Sequence, residues 1–343
     1  MNPSILRAVM LGALFAIAAA GCERPPTDMI QRGYRGLAMD QVYNPRTVAQ
    51  LQSVNTVPPA SPMVDSGGPP ASSVYHNLQV LNDLSVGELA RLMVAMTAWV
   101  APPDQSCAYC HGGADMANDD NYRKVVARQM LRMVQHMNSD WHTHVGLTGV
   151  TCYTCHRGNA VPSFVWYQDP GPAHPSQFAG NRAGKNAPAP SVGLTALPNE
   201  PFSEFLGDEA TNIRVVATTP LPQAPGAPIK QAEQTYGLMM HMSEALGVNC
   251  TFCHNSRSFT SWDSSTPQRA TAWYGIRMVR DLNAHFLEPL TATFPADRKG
   301  PLGDVAKVNC ETCHQGVYKP LFGVSMLKDY PELAGPHAQS PSQ

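Results

Sequence analysis

The chain has 343 residues, enough for one large domain or two ordinary ones, with 31 prolines and 15% charged residues, against about 25% charged in an ordinary soluble domain. That balance indicates a compact, loop-rich protein. A formal net charge of -2 argues against the nucleic-acid-binding class, which relies on a basic patch or stripe.

In chain order, residues 1–21 place Arg7 ahead of the apolar run Ala8 to Gly21, the charged-then-apolar form of an export signal and too short for an ordinary spanning helix of about 20 residues. The run ends Ala19-Ala20-Gly21-Cys22, which resembles a bacterial lipobox, so Cys22 is expected to carry lipid and begin the mature chain. Acyl chains contribute about 0.8 kcal/mol per buried CH₂, so two or three hold a protein on a bilayer. Residues 22–77 contain Pro58-Pro59 and Gly67-Gly68-Pro69-Pro70, which favour a lipid-anchored, extended arm over helix.

The next segment, 78–160, opens with a helix signal. Ser85 and Glu88 have capping-box spacing, and Leu89, Leu92, Met93 and Met96 recur on one face. Cys107, Cys110 and His111 follow. A second helix around Ala127 to Val134 precedes Cys152, Cys155 and His156. Residues 161–228 form a long irregular connection, in which Phe164 to Tyr167 and Ile213 to Ala217 are expected to pair as a short β-hairpin. In the segment 229–320 the order returns: a helix through Leu238 to Ser243, then Cys250, Cys253 and His254; a helix starting at Thr266-Pro267, then Cys310, Cys313 and His314. Residues 321–343 are a C-terminal segment and tail.

Eight of the nine cysteines thus lie in four Cys-x-x-Cys-His motifs. This spacing lets two thiols on one turn form thioethers to the vinyl groups of a haem while the adjacent imidazole reaches the iron. Zinc, a redox dithiol or plain disulfides leave a histidine after every second cysteine unexplained. Similar text recurs in the two halves: Leu92-Met93-Val94-Ala95-Met96-Thr97 matches Leu238-Met239-Met240-His241-Met242-Ser243, and Arg132-Met133-Val134 matches Arg277-Met278-Val279, which sets Asn138 on Asn283 and Met130 on Gly275. The expected fold is mainly α, a multihaem cytochrome with an internal twofold repeat of helix, haem, helix, haem.

The second axial ligand separates an electron carrier from an enzyme with an open iron. Met93, Met130 and Met239 are the choices for haems one to three, with Met96, Met133 and Met242 one turn away. Because Gly275 stands where Met130 does, the fourth haem needs a ligand from elsewhere; His136, His142, His144 and Met278 are the candidates.

The stretches Asn138-Ser139-Asp140-Trp141, Thr148-Gly149-Val150-Thr151-Cys152-Tyr153-Thr154-Cys155-His156-Arg157-Gly158, Ser265-Thr266-Pro267-Gln268-Arg269-Ala270, Arg277-Met278-Val279-Arg280-Asp281-Leu282-Asn283 and Lys319-Pro320-Leu321-Phe322-Gly323 closely resemble the tetrahaem cytochrome subunit of bacterial photosynthetic reaction centres. The resemblance implies His/Met ligation of haems one to three by Met93, Met130 and Met239, and His/His ligation of the fourth by His144. The loop Ala101 to Ser106 is about one residue longer than the family pattern, which keeps Met96 open at the first haem. It further implies a non-enzymatic, outer-sphere carrier on the periplasmic face of the inner membrane, docked on the reaction-centre membrane subunits. A soluble periplasmic cytochrome or high-potential iron-sulfur protein supplies its electrons, and the third haem lies nearest the photo-oxidised chlorophyll pair. Arg128, Arg132, Arg269, Arg277 and Arg280 are candidates to pair with haem propionates. A periplasmic multihaem reductase and a free multihaem carrier are the competing readings.

Overall fold

A computed structural model describes residues 26–32, 39–113, 115–170, 188–207, 211–215 and 229–335. The export segment, Cys22, Val216, Ala217 and the tail from 336 lie outside the described residues. Two compact units are present, residues 1–53 and 54–343.

In the first unit, strands β1 (Asp28–Arg32) and β2 (Met39–Tyr43) pair antiparallel, with Met29 opposite Val42. Helix α1 (Pro45–Val54) follows, opened by Asn44, whose side-chain oxygen accepts from the Arg46 amide at 3.0 Å, with Pro45 at the first helical position. The extended arm expected from the prolines is therefore structured over these residues, and Asn44-Pro45 is the signal that composition obscured.

The larger unit is mainly helical. After α2 (Ala71–Val74) comes α3 (Val86–Val100), where Ser85 Oγ accepts from the Glu88 amide at 3.2 Å and Glu88 Oε2 accepts from the Ser85 amide at 2.9 Å, the expected reciprocal cap. Pro102 follows its C-cap and prevents continuation. Then come α4 (Tyr122–Asp140), α5 (His142–Val145), α6 (Cys152–His156), α7 (Phe202–Leu206), α8 (Ile229–Leu246), α9 (Pro267–Asp281) and α10 (Cys310–His314). Helix α9 begins at Thr266-Pro267 as its sequence indicates.

Leu89, Leu92, Ala95 and Trp99 on α3 pack with Leu131, Val134 and Met137 on α4 in the main apolar cluster. A second cluster joins Trp166, Phe202, Phe205, Leu206, Leu238, Ile276 and Val279.

Among the described residues the expected pairing of Phe164–Tyr167 with the segment from Ile213 is not formed: residues 211–215 make no strand, and Trp166 instead bridges Lys307 through amide-to-carbonyl bonds of 3.0 and 2.9 Å. The buried Trp166 indole decides this, since its Nε1 donates to Val308 O at 2.9 Å and its ring joins the second cluster. Among the described residues no helix is long and apolar enough to cross a membrane.

Candidate haem-binding sites

The four Cys-x-x-Cys-His motifs occupy two kinds of backbone. The first and third lie on 3-10 turns, Ser106–Tyr109 and Cys250–Phe252. The second and fourth form the short helices α6 and α10. Asn309 and Thr312 cap the second of these with reciprocal side-chain bonds, and at the first Thr154 Oγ1 accepts from the Thr151 amide at 3.0 Å. Each then turns through a left-handed residue, Arg157 at φ 50° or Gln315 at φ 48°, into a glycine. The Gly158 amide donates to Trp99 O of α3, and the Gly316 amide to Ala245 O of α8, both at 2.9 Å.

Two buried asparagines fix the chain just before these helices. Asn138 Nδ2 donates to Val150 O at 2.9 Å and Leu333 O at 2.8 Å, while its Oδ1 accepts from the Val150 amide at 2.8 Å. Asn283 repeats this with Leu206 O at 2.9 Å, Val308 O at 3.0 Å and the Val308 amide at 2.9 Å. Val150 and Val308 each stand two residues before the first cysteine of a motif. The sequence aligned the two asparagines without revealing this clamp, because their partners are remote in the chain.

Every motif histidine is held through Nδ1. His111 reaches Met116 O at 3.2 Å and His254 reaches Phe259 O at 3.0 Å, both five residues on; His156 reaches Asn159 O at 2.8 Å and His314 reaches Val317 O at 3.1 Å, both three residues on. A backbone acceptor on Nδ1 fixes the ring and presents Nε2 to a metal. Burial lowers the pKa of His156 and His254 and, with the nearby His144, pushes His314 down to about 4, so burial favours the neutral, ligating form.

Two mostly apolar cavities meet His111, His156 and His314, while His254 lines neither. One, of about 650 Å³, is lined by the first two motifs together with Met93, Met96 and Met130. The other, of about 360 Å³, is lined by Cys253, the fourth motif, His144, Met242 and Met278. His144 packs against Gly275, where a Cβ would come within 2.5 Å of its ring, and its Nδ1 lies 3.0 Å from Thr271 O. The glycine that replaces the α4 methionine thus leaves the space the imidazole fills. Its ring centre is 6.1 Å from that of His314. His136 is committed elsewhere, between Asp281 at 2.6 Å and Asp140 at 2.6 Å.

Met239 and Met242 both pack against the second apolar cluster, and of the two only Met242 lines the second cavity, which Cys253 also lines. His241, between them, is buried, bonded through Nδ1 to Ser191 O at 3.1 Å and set edge-on to Phe202.

Of the arginines, Arg128 is engaged by Asp119 at 2.8 Å and Arg280 by Phe205 O at 2.6 Å. Arg269 stacks on Trp262 at 4.1 Å and Arg277 on Trp273 at 3.1 Å. Cys155 and Cys313 lie side by side, with Cα atoms 4.5 Å apart, and a thioether to haem is expected on each. Apolar cavities, paired thiols and correctly turned imidazoles together fit c-type haem. Among the described residues no group of three or more His, Cys, Asp or Glu side chains is arranged to hold a metal ion directly.

Comparison with known proteins gives the same direction. Residues 23–334 match the family described as photosynthetic reaction centre cytochrome C subunit. The photosynthetic reaction center cytochrome c subunit of Rubrivivax gelatinosus is 57% identical over 319 residues, covering 93% of this chain and 86% of that protein. That of Thermochromatium tepidum is 49% identical, covering 97% and 82%, and that of Roseobacter denitrificans 39%, covering 97% and 93%.

Proposed function

The chain belongs to the photosynthetic reaction centre cytochrome c subunit family, and from that premise we propose that it returns electrons to the photo-oxidised chlorophyll pair from a soluble periplasmic cytochrome or high-potential iron-sulfur protein. It is a c-type cytochrome that carries electrons and associates with the reaction centre. Four covalently attached haems would supply one-electron exchange, which asks no side chain to act as acid or base.

The observation that carries the reading is the common set of four motif imidazoles, each turned by a backbone carbonyl on Nδ1. Cys107/Cys110, Cys152/Cys155, Cys250/Cys253 and Cys310/Cys313 hold the haems, and His111, His156, His254 and His314 bind from one face. Met93 and Met130 would supply the second ligands of the first two haems, with Met96 the rival at the first, and His144 that of the fourth, because Gly275 admits it. Met239 remains the choice for the third on repeat register and family resemblance, with Met242 its rival by position. These residues would keep substrate and oxygen from the irons, so that transfer would be outer-sphere.

The equivalent clamps by Asn138 and Asn283, and the equivalent bonds Gly158 to Trp99 and Gly316 to Ala245, support an internal twofold repeat. The 4.5 Å between Cys155 and Cys313 Cα atoms supports adjacency of motifs two and four, and the family resemblance supports the third haem as nearest the chlorophyll pair and the first as farthest. Cys22, as a lipid site, would keep the protein on the periplasmic face of the membrane.

Intact mass and carbon monoxide binding test this together. Four haem additions and no rapid binding to the native reduced protein are expected. Fewer haems, or one iron that binds at once, would overturn the reading, the latter in favour of a reductase.

A further inference from the structure

The second and fourth motifs are tied to each other by side chains from equivalent positions. Arg157 and Gln315 each follow the motif histidine and occupy the same left-handed conformation, which sends both side chains across the junction. Arg157 Nη2 donates to Cys313 O at 3.2 Å, while Gln315 Nε2 lies 3.5 Å from Cys155 O. The arginine is further held by Thr154 O at 3.0 Å and Val54 O at 3.2 Å. Gln315 is itself buried.

The exchange is symmetric in geometry and asymmetric in charge. All of Arg157's acceptors named here are neutral carbonyls, and no ion pair to it is formed among the described residues. A half-buried guanidinium bonded to neutral carbonyls is weakly screened compared with a surface cation, so its field acts on whatever lies beside it. Its bonds reach Thr154 O inside the second motif and Cys313 O inside the fourth, with His314 near enough to feel its charge.

We propose that Arg157 is a positioning and potential-setting residue shared by the second and fourth haem sites: it locks the two motifs side by side and favours the reduced form of both haems. This rests on the four-haem reading above. Positive charge near a haem raises its reduction potential because the oxidised iron carries one more positive charge. At a junction between two sites, one cation raises both together and leaves the difference between them, which sets the driving force of the step between them, little changed.

The test is a redox titration resolving all four haems in the purified, haem-loaded protein, with natural chain, Arg157→Gln, Arg157→Lys and Gln315→Arg compared. In Arg157→Gln, haems two and four are expected to oxidise about tenfold more readily, equivalent to about 59 mV for a one-electron couple, with haems one and three unmoved. Arg157→Lys keeps the charge and loses the fork, so the potentials are expected to stay while the melting temperature falls. Gln315→Arg adds a second cation and is expected to raise the same two potentials, which decides the matter if Arg157→Gln fails to load haem. Four attached haems with unmoved potentials, or a uniform shift of all four, would overturn the assignment to Arg157 alone. Fewer than four haems on the natural chain would overturn the underlying reading and this proposal with it.

Discussion

Replacing Gly275 by alanine should dislodge the ligand of the fourth haem. A Cβ at this position would lie 2.5 Å from His144 Cε1, 2.9 Å from Nδ1 and 3.1 Å from Nε2. Ordinary carbon contacts sit at about 3.5 to 4.0 Å, so the ring must retreat by about 1 Å. It has little freedom to do so, since His144 is tied to Thr271 O at 3.0 Å and is largely buried. Overpacking of this kind costs about 1–3 kcal/mol, and an iron–nitrogen bond does not survive a displacement of that size. The assay is electron paramagnetic resonance of the oxidised protein, paired with carbon monoxide binding to the reduced one. The bis-histidine signal should be lost and one haem per protein should become reactive toward carbon monoxide. An unchanged bis-histidine signal in Gly275→Ala would refute the reasoning that the glycine exists to admit His144.

Asn138→Ala removes three hydrogen bonds to buried backbone; at about 1–3 kcal/mol for each buried group left unpaired, guanidinium unfolding of the haem-loaded protein should show a loss of about 3 kcal/mol or more, and Asn283→Ala, two of whose three bonds are part-buried, a smaller one, whereas a loss near zero in both would remove the clamp from the account. Met239→Leu is expected to open the third iron to carbon monoxide while Met242→Leu leaves it closed; the reverse result moves the ligand one turn along α8. At Asp281, burial works against the charge, but hydrogen bonds from His136, Trp141 and His285 outweigh it and hold the carboxyl below its ordinary value. The stability this contributes is complete above the unfolded carboxyl pKa of about 4 and disappears as pH falls through the lower folded value, so Asp281→Asn should be less stable at neutral pH and lose less on acidification, measured as unfolding midpoint against pH.

Much of the site was legible because covalent chemistry imposes a fixed local spacing. Cysteine pairs with an adjacent histidine announce themselves wherever they fold, and helix starts such as Ser85-Glu88 and Thr266-Pro267 depend on neighbours within one turn. The repeat register also paired Met130 with Gly275, which pointed to a ligand from elsewhere without saying which.

Interactions between distant segments left weaker traces. Arg157 looked like one more basic residue until its backbone conformation carried it to Cys313, 156 positions away. The β1–β2 pair had no inside-outside pattern to detect, because Met29, Ile30 and Val42 are all exposed. The strand expected over Phe164–Tyr167 reduces to a single bridge at Trp166, whose partner was chosen by the burial of one indole and lies ahead of the fourth motif. Local helical spacing likewise does not decide between Met239 and Met242, which differ by less than one turn of α8 and pack against the same apolar cluster.

Flash spectroscopy on native photosynthetic membranes, recorded while the ambient redox potential is titrated, tests the central claim most directly. With the haems reduced beforehand, a flash should oxidise the chlorophyll pair and then, as that signal decays, oxidise haem of this protein in step with it. Chlorophyll recovery with every haem still reduced would contradict the account.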